Sequence, residues 1–177
     1  LSVGRRIVVI GGGNTAIDIA VQSKKLGAED VTLAYRRGPE QMSATWKEQE
    51  FAQTNGVRVK HWVAPKSLRS ENGHVTGIEF ECTELNPEGK LRGTGELRYM
   101  EADVVFKAIG QLLEDSVFSG SEMPAIEGGK ITVNLEFETS LPGVWAGGDC
   151  VDSGEDLTVQ SVEDGKQAAL SIHRRLK

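Results

Sequence analysis

Only two of the 177 residues are cysteine, Cys82 and Cys150; they lie far apart and form no C-x-x-C pair. That spacing supports neither a redox-active disulfide nor a structural zinc site, and it suits a reducing, cytoplasmic compartment. The three histidines, His61, His74 and His173, fall on an expected strand, a turn and a terminal helix and converge on no common site. No metal site, catalytic dyad or catalytic triad can be assembled from such a set. A net charge of −6 argues against a nucleic-acid surface, which needs clustered lysine and arginine. The one short basic run, His173-Arg174-Arg175, suits the solvated end of a carboxyl-terminal helix, where cations complement the helix dipole. No apolar stretch approaches the ~20 residues of a membrane span, and no signal peptide is expected ahead of the first strand. Internal repeats and low-complexity segments are missing as well. With 38% apolar and 26% charged residues the composition is that of an ordinary globular domain. The chain opens at Leu1 and enters a buried strand almost at once, as expected of a piece taken from a longer protein.

What is present centres on residues 5–18. Ile7-Val8-Val9-Ile10 is an unbroken β-branched run, the pattern of a strand buried on both faces of a parallel sheet. Gly11-Gly12-Gly13-Asn14-Thr15-Ala16 follows directly, with Gly11, Gly13 and Ala16 fitting G-x-G-x-x-A. Ile17, Ala20, Val21 and Leu26 then recur at helical spacing, so the glycines occupy a strand-to-helix turn. There the first glycine permits the tight turn and the second lets a pyrophosphate approach the backbone. The third position must be small for helix and strand to pack. Unpaired N–H groups at the helix start are donors for phosphate oxygens, and Gly11, Gly12, Gly13, Asn14 and Thr15 are the residues expected at the pyrophosphate.

Gly27 suits the left-handed end of that helix, and Val31–Tyr35 reads as the second strand of a βαβ unit. At its end, where an acid would bind the ribose 2′-hydroxyl of NAD, the chain places Arg36 and Arg37. Guanidinium groups pair with a 2′-phosphate, which favours NADPH, with NAD as a possible second ligand; the plainer alternative is two exposed cations at a strand end. A helix is expected over residues 43–53, capped by Ser43, with Trp46, Phe51 and Ala52 facing inward. Val57–Val63 alternates as a strand, with His61 on the solvent phase. From Ala64 to Glu101 the turns Glu71–His74 and Asn86–Lys90 frame alternating strands, an antiparallel meander inserted in a parallel fold. Cys82 shares the parity of Ile78 and Phe80 and reads as a buried thiol. Ala102–Gln111 returns to a buried strand ending at Gly110, residues 112–129 read as a surface loop, and Lys130–Val133 as a further strand.

Gly147-Gly148-Asp149-Cys150 follows the short run Val144–Ala146. A carboxylate placed there can accept a hydrogen bond from a polyol hydroxyl; equally, it can bond the backbone of its own turn. Asp156 or Thr158 can cap the helix over residues 157–176, whose positive end could face an electron-rich ring. Gly165 inside that helix is costly unless something packs against its backbone.

Taken in order, the segments Gly11–Asp18, Tyr35–Arg37, Ala108–Gln111, Gly143–Cys150 and Thr158–Ala169 resemble the two-dinucleotide flavoprotein reductases. The resemblance is to the branch holding the glutamate synthase small subunit and the reductase part of dihydropyrimidine dehydrogenase. The stretch from Gly143 to Ala169 looks closest to the latter. The resemblance implies an α/β fold: a Rossmann-like NAD(P)H-binding domain over residues 1–107 with a meander crossover, then the carboxyl-terminal part of an FAD-binding domain over residues 108–177. It further implies that Gly148 and Asp149 meet the FAD ribityl chain, that Thr158 opens the helix approaching the flavin, and that Gly110 lies in the inter-domain crevice. The glycine fingerprint expected for FAD itself and the cysteine clusters of iron–sulfur relatives are missing from these 177 residues. The implied reaction is hydride transfer from NADPH to FAD, with electrons passed to an iron–sulfur or FMN-containing domain or subunit. The final acceptor is a pyrimidine or, in the glutamate synthase manner, an imine in another chain. A nucleotide-binding module without turnover is the alternative from a different class.

Overall fold

A computed structural model describes residues 3–114 and 123–177. The chain divides into two compact units, Leu1–Gly110 and Gln111–Lys177.

In the first unit β1 (Arg6–Ile10), β2 (Asp30–Ala34), β3 (Arg58–Lys60) and β7 (Val104–Lys107) form a parallel sheet in the order β3-β2-β1-β7. Ile7 and Val9 point to one face, where they meet Val31, Leu33 and the buried residues Ile17, Ala20 and Val21 of α1 (Asn14–Lys25). Ala52 of α2 (Trp46–Thr54) joins the same cluster. Val8 points to the other face and packs with Ala34, Val63, Ile78, Phe80 and Ala102. Both faces of β1 are therefore apolar because both are covered, by helices on one side and by the meander on the other. The meander consists of β4 (Val63–Glu71), β5 (His74–Leu85) and β6 (Leu91–Glu101), paired antiparallel in that order. Asn72 and Gly73, both at positive φ, make the tight β4–β5 turn. At the end of α1, Gly27 at φ +103 donates to the Lys24 carbonyl while Ala28 donates to that of Ser23, the paired closure of a Schellman motif.

Several expectations are corrected here. α2 is capped by Thr45, not Ser43: the Thr45 hydroxyl accepts from Glu48 N–H, and the Glu48 carboxylate accepts from Thr45 N–H. Trp46 and Phe51 are 67% and 47% exposed, because this short helix turns only Ala52 into the core. The expected strand Val57–Val63 stops at Lys60; Trp62 has φ +62, and Val63 already belongs to β4. That break ends the alternation, so His61 is half-buried instead of exposed, with its Nε2 buried and without a partner among the described residues. Cys82 is half-buried rather than buried. The strand expected over Ala102–Gln111 is confined to Val104–Lys107.

In the second unit β8 (Ile126–Glu127) and β9 (Lys130–Ile131) form a hairpin, so the strand expected over Lys130–Val133 is shorter. Of the loop expected over residues 112–129, residues 115–122 lie outside the described residues. Ile131 bridges to Val151, with Ile131 N–H donating to the Cys150 carbonyl and Asp152 N–H to that of Ile131. The long α3 (Thr158–Leu176) buries Asp164, Ala168 and Ser171, a stripe at helical spacing. Trp145 Nε1 donates to Ser171 Oγ at 3.0 Å, and the Arg175 guanidinium lies 5.4 Å from the Trp145 ring centroid. Neither Asp156 nor Thr158 caps this helix; Leu157 occupies the cap position, and Asp156 pairs with Lys130. At Gly165 no atom lies within 4 Å of where a β-carbon would stand, so close packing does not account for it.

Candidate dinucleotide site

The glycine turn leaves the carboxyl end of β1, next to the carboxyl end of β7. β2 and β3 lie on one side of β1 and β7 on the other, so the strand order reverses between β1 and β7, as at the switch points where open α/β sheets bind ligands. Ala108 N–H donates to the Ile10 carbonyl at 2.8 Å, and Gly11 N–H to the Ala34 carbonyl at 3.1 Å. Gly11 is thus held against β7, where a side chain would collide with the Ala108 carbonyl. Gly12 packs on the Tyr35 ring, and its carbonyl accepts from Ala44 N–H at 3.0 Å.

Gly13 occupies the α1 cap position with no side-chain partner. Its carbonyl accepts from Ala16 and Ile17, but the N–H groups of Gly12, Gly13, Asn14 and Thr15 have no acceptor among the described residues. Four adjacent donors at the positive end of a helix make a cradle of the kind that can accept phosphate oxygens. Arg36 and Arg37 follow β2; Arg36 is exposed and Arg37 half-buried, and neither side chain has an ion pair or hydrogen bond among the described residues. Their cationic heads are available to an anion.

Sequence reasoning missed Ser43. It is exposed, held between the buried residues Met42 and Ala44, and its Oγ lies 3.1 Å from where a Gly13 β-carbon would stand. The hydroxyl therefore borders the cradle instead of capping α2.

In the second unit Asp149 is exposed and accepts from Ser161 Oγ at 3.0 Å, not from the backbone of its own turn. Ser161 lies in the first turn of α3, so this bond ties the carboxylate to the helix start. There the Thr158, Val159 and Gln160 N–H groups lack acceptors among the described residues. Thr158 itself is exposed at the first helical position. Gly148 N–H donates to Asp164 Oδ2 at 3.0 Å, and Gln160 Nε2 to Asp164 Oδ1 at 2.6 Å. Asp164, 1% exposed, thereby fixes the Gly147-Gly148 turn against α3. No pattern in the sequence distinguished it from its exposed neighbour Glu163. Gly110 ends the first unit with open space around it.

Residues 2–165 match the family model described as pyridine nucleotide-disulphide oxidoreductase. The chain belongs to that family. Among curated oxidoreductases it is 36% identical over 185 residues to the glutamate synthase (NADPH) small chain of Escherichia coli K12, covering 96% of this chain and 38% of the relative. It is 34% identical over 181 residues to the NADP(+)-dependent formate dehydrogenase subunit beta of Moorella thermoacetica, covering 98% of this chain and 25% of that one. The chain thus spans well under half the length of these relatives. Its fold resembles the thioredoxin reductases of T. acidophilum and Lactococcus lactis. The TM-scores are 0.81 and 0.80, at 24% and 23% identity, over 96% and 97% of this chain and 52% of each of theirs. Among the described residues of this chain no helix is long and apolar enough to cross a membrane.

Proposed function

We propose that this chain binds the electron donor of a flavoprotein oxidoreductase, taking NADPH in preference to NADH, and supplies the carboxyl-terminal part of an FAD site. The observation that carries this reading is the row of four N–H groups at Gly12–Thr15 and the two arginines after the neighbouring strand, all without partners among the described residues. A dinucleotide fits both features: its pyrophosphate takes the N–H groups, and a 2′-phosphate takes Arg36 and Arg37. Two relatives whose names specify NADP(+) or NADPH support the same preference.

Residues 1–107 would be the nicotinamide domain and residues 108–177 the returning part of the FAD domain; the compact units divide close by, after Gly110. Asp149 keeps one carboxylate oxygen for a ribityl hydroxyl while the other is held by Ser161. Gly148 lets the polyol approach, and the free N–H groups of α3, beginning at Thr158, present positive charge to the flavin ring. Held by these residues, the nicotinamide would supply a hydride and the flavin would split it into a proton and two electrons, passed singly to an iron–sulfur or FMN-containing partner. The residues of this chain need only bind, orient and exclude water.

The glutamate synthase relative favours the glutamate synthase type of reductase; the pyrimidine reading rests on the Gly143–Ala169 segment alone. Calorimetry with NADPH and NADH, paired with an absorbance spectrum of the purified protein, tests the proposal. Selective NADPH binding supports it, and equal affinities refute the preference. A colourless protein that binds NADPH yet cannot take up FAD is the nucleotide-binding module without turnover.

A further inference from the structure

The loop carrying Arg36 and Arg37 is held from outside its own βαβ unit. Its three successive carbonyls all accept hydrogen bonds from the meander or its entry. Val63 N–H donates to Tyr35 at 3.1 Å and Trp62 N–H to Arg37 at 3.3 Å. Between them, Thr83 Oγ1 donates to the Arg36 carbonyl at 2.7 Å, across 47 residues of sequence. Thr83 also closes the set, because its N–H donates to the Trp62 carbonyl at 3.0 Å. Thr83 is buried, so its hydroxyl bond is shielded from water. Trp62 is a bulky residue at φ +62, and its ring stands 2.8 Å from where a Gly38 β-carbon would be. A non-glycine residue keeps that conformation only where its surroundings enforce it.

Two adjacent cations repel each other, and a free loop would spread them into solvent. Tethering their backbone removes that freedom before the ligand arrives, so less ordering is left to be done on binding. We propose that Thr83 is a positioning residue for 2′-phosphate recognition: the meander, through Thr83 and Trp62, presets the Arg36-Arg37 backbone for NADP over NAD. This rests on the NADPH reading above.

Thr83→Val keeps the shape of the side chain and the Trp62 bond but removes the hydroxyl donor; Thr83→Ser restores it. Calorimetry on the whole chain with NADPH, NADH and 2′,5′-ADP reads the effect. Thr83→Val weakens NADPH and 2′,5′-ADP by about five-fold, the equivalent of one ordinary hydrogen bond, and leaves NADH unchanged. Thr83→Ser recovers most of the loss, which a general structural defect would not allow. If the valine variant does not fold, Thr83→Ala removes the same donor with less bulk. Equal losses for NADPH and NADH, or an unchanged ratio in a wild type that prefers NADPH, overturn the role of Thr83 alone. A wild type without that preference overturns the NADPH reading and this inference together.

Discussion

Gly11 packs against the carbonyl of Ala108 so closely that an added β-carbon would stand 2.2 Å from its oxygen and 2.9 Å from the Ala16 β-carbon. Its φ of +155 also lies where side chains are disfavoured. Gly11→Ala therefore forces β1 and β7 apart, costing roughly 2–4 kcal/mol in urea unfolding. Gly13→Ala makes the contrast: φ is −102, and the new carbon meets only Ser43 Oγ at 3.1 Å. It should melt like the wild type yet bind dinucleotide poorly, because the carbon intrudes where the pyrophosphate approaches. A Gly13→Ala variant with full affinity would remove the phosphates from this turn.

Arg36→Ala and Arg37→Ala should each weaken NADPH by about 10-fold or more, as expected for a charge-assisted bond, and leave NADH nearly unaffected. The penalty should shrink as salt is raised, since exposed charges are screened. Titrations of both cofactors at two ionic strengths check this; equal losses for NADH would mean that the arginines serve folding instead.

Asp164→Ala leaves the Gly148 N–H and the Gln160 amide without their acceptor inside the second unit. A loss of about 3 kcal/mol is expected from chemical denaturation. Asp164→Asn should lose less, because the amide oxygen still accepts one of the two donors. A neutral alanine variant would show that water replaces the carboxylate.

His61 and Asp103 each give the first unit a pH dependence that can be measured. Burial pushes His61 below its ordinary pKa, so the folded state resists the proton that the unfolded chain takes up. Stability is then full above about pH 6.5 and falls as pH drops from there toward the folded pKa. His61→Leu should remove that slope and cost little, since Nε2 has no partner to lose among the described residues. Asp103 is held below the usual carboxylate range by the Arg6 guanidinium and by Arg6 N–H. Its contribution is complete above about pH 4, the unfolded carboxylate value, and is lost as pH falls through the lower folded pKa. Asp103→Asn should flatten that acid limb, modestly because the pair is partly exposed. Urea midpoints measured from pH 3 to 8 separate the two effects.

Legibility followed the range of the interactions. The β1 run, the glycine turn, the Gly27 cap and the Asn72-Gly73 hairpin each declare themselves within a few residues, and the structure holds all four. The α2 cap was also legible, since Thr45-Trp46-Lys47-Glu48 is a capping box; the reading that chose Ser43 overlooked it. His61 was misread because alternation carries no sign of a break at Trp62. Asp164 and Thr83 were illegible for another reason: their partners are set by tertiary packing, and Thr83 reaches Arg36 across 47 residues. Of the candidate site, the residues proposed to meet phosphate were written in a motif, and the residues that hold them in place were not.

The pairing of β1 with β7 also orders events in time. Arg6 and Asp103, which join the starts of these strands, are separated by 97 residues, and the whole meander lies between them. Contacts of that separation form slowly, after local hairpins and helices. The βαβ unit and the meander can therefore assemble first, with the wall of the glycine turn that Ala108 supplies still open. A dinucleotide site walled by Ala108 would then be completed only when β7 docks, with the inner edge of β1 open to mispairing until that step.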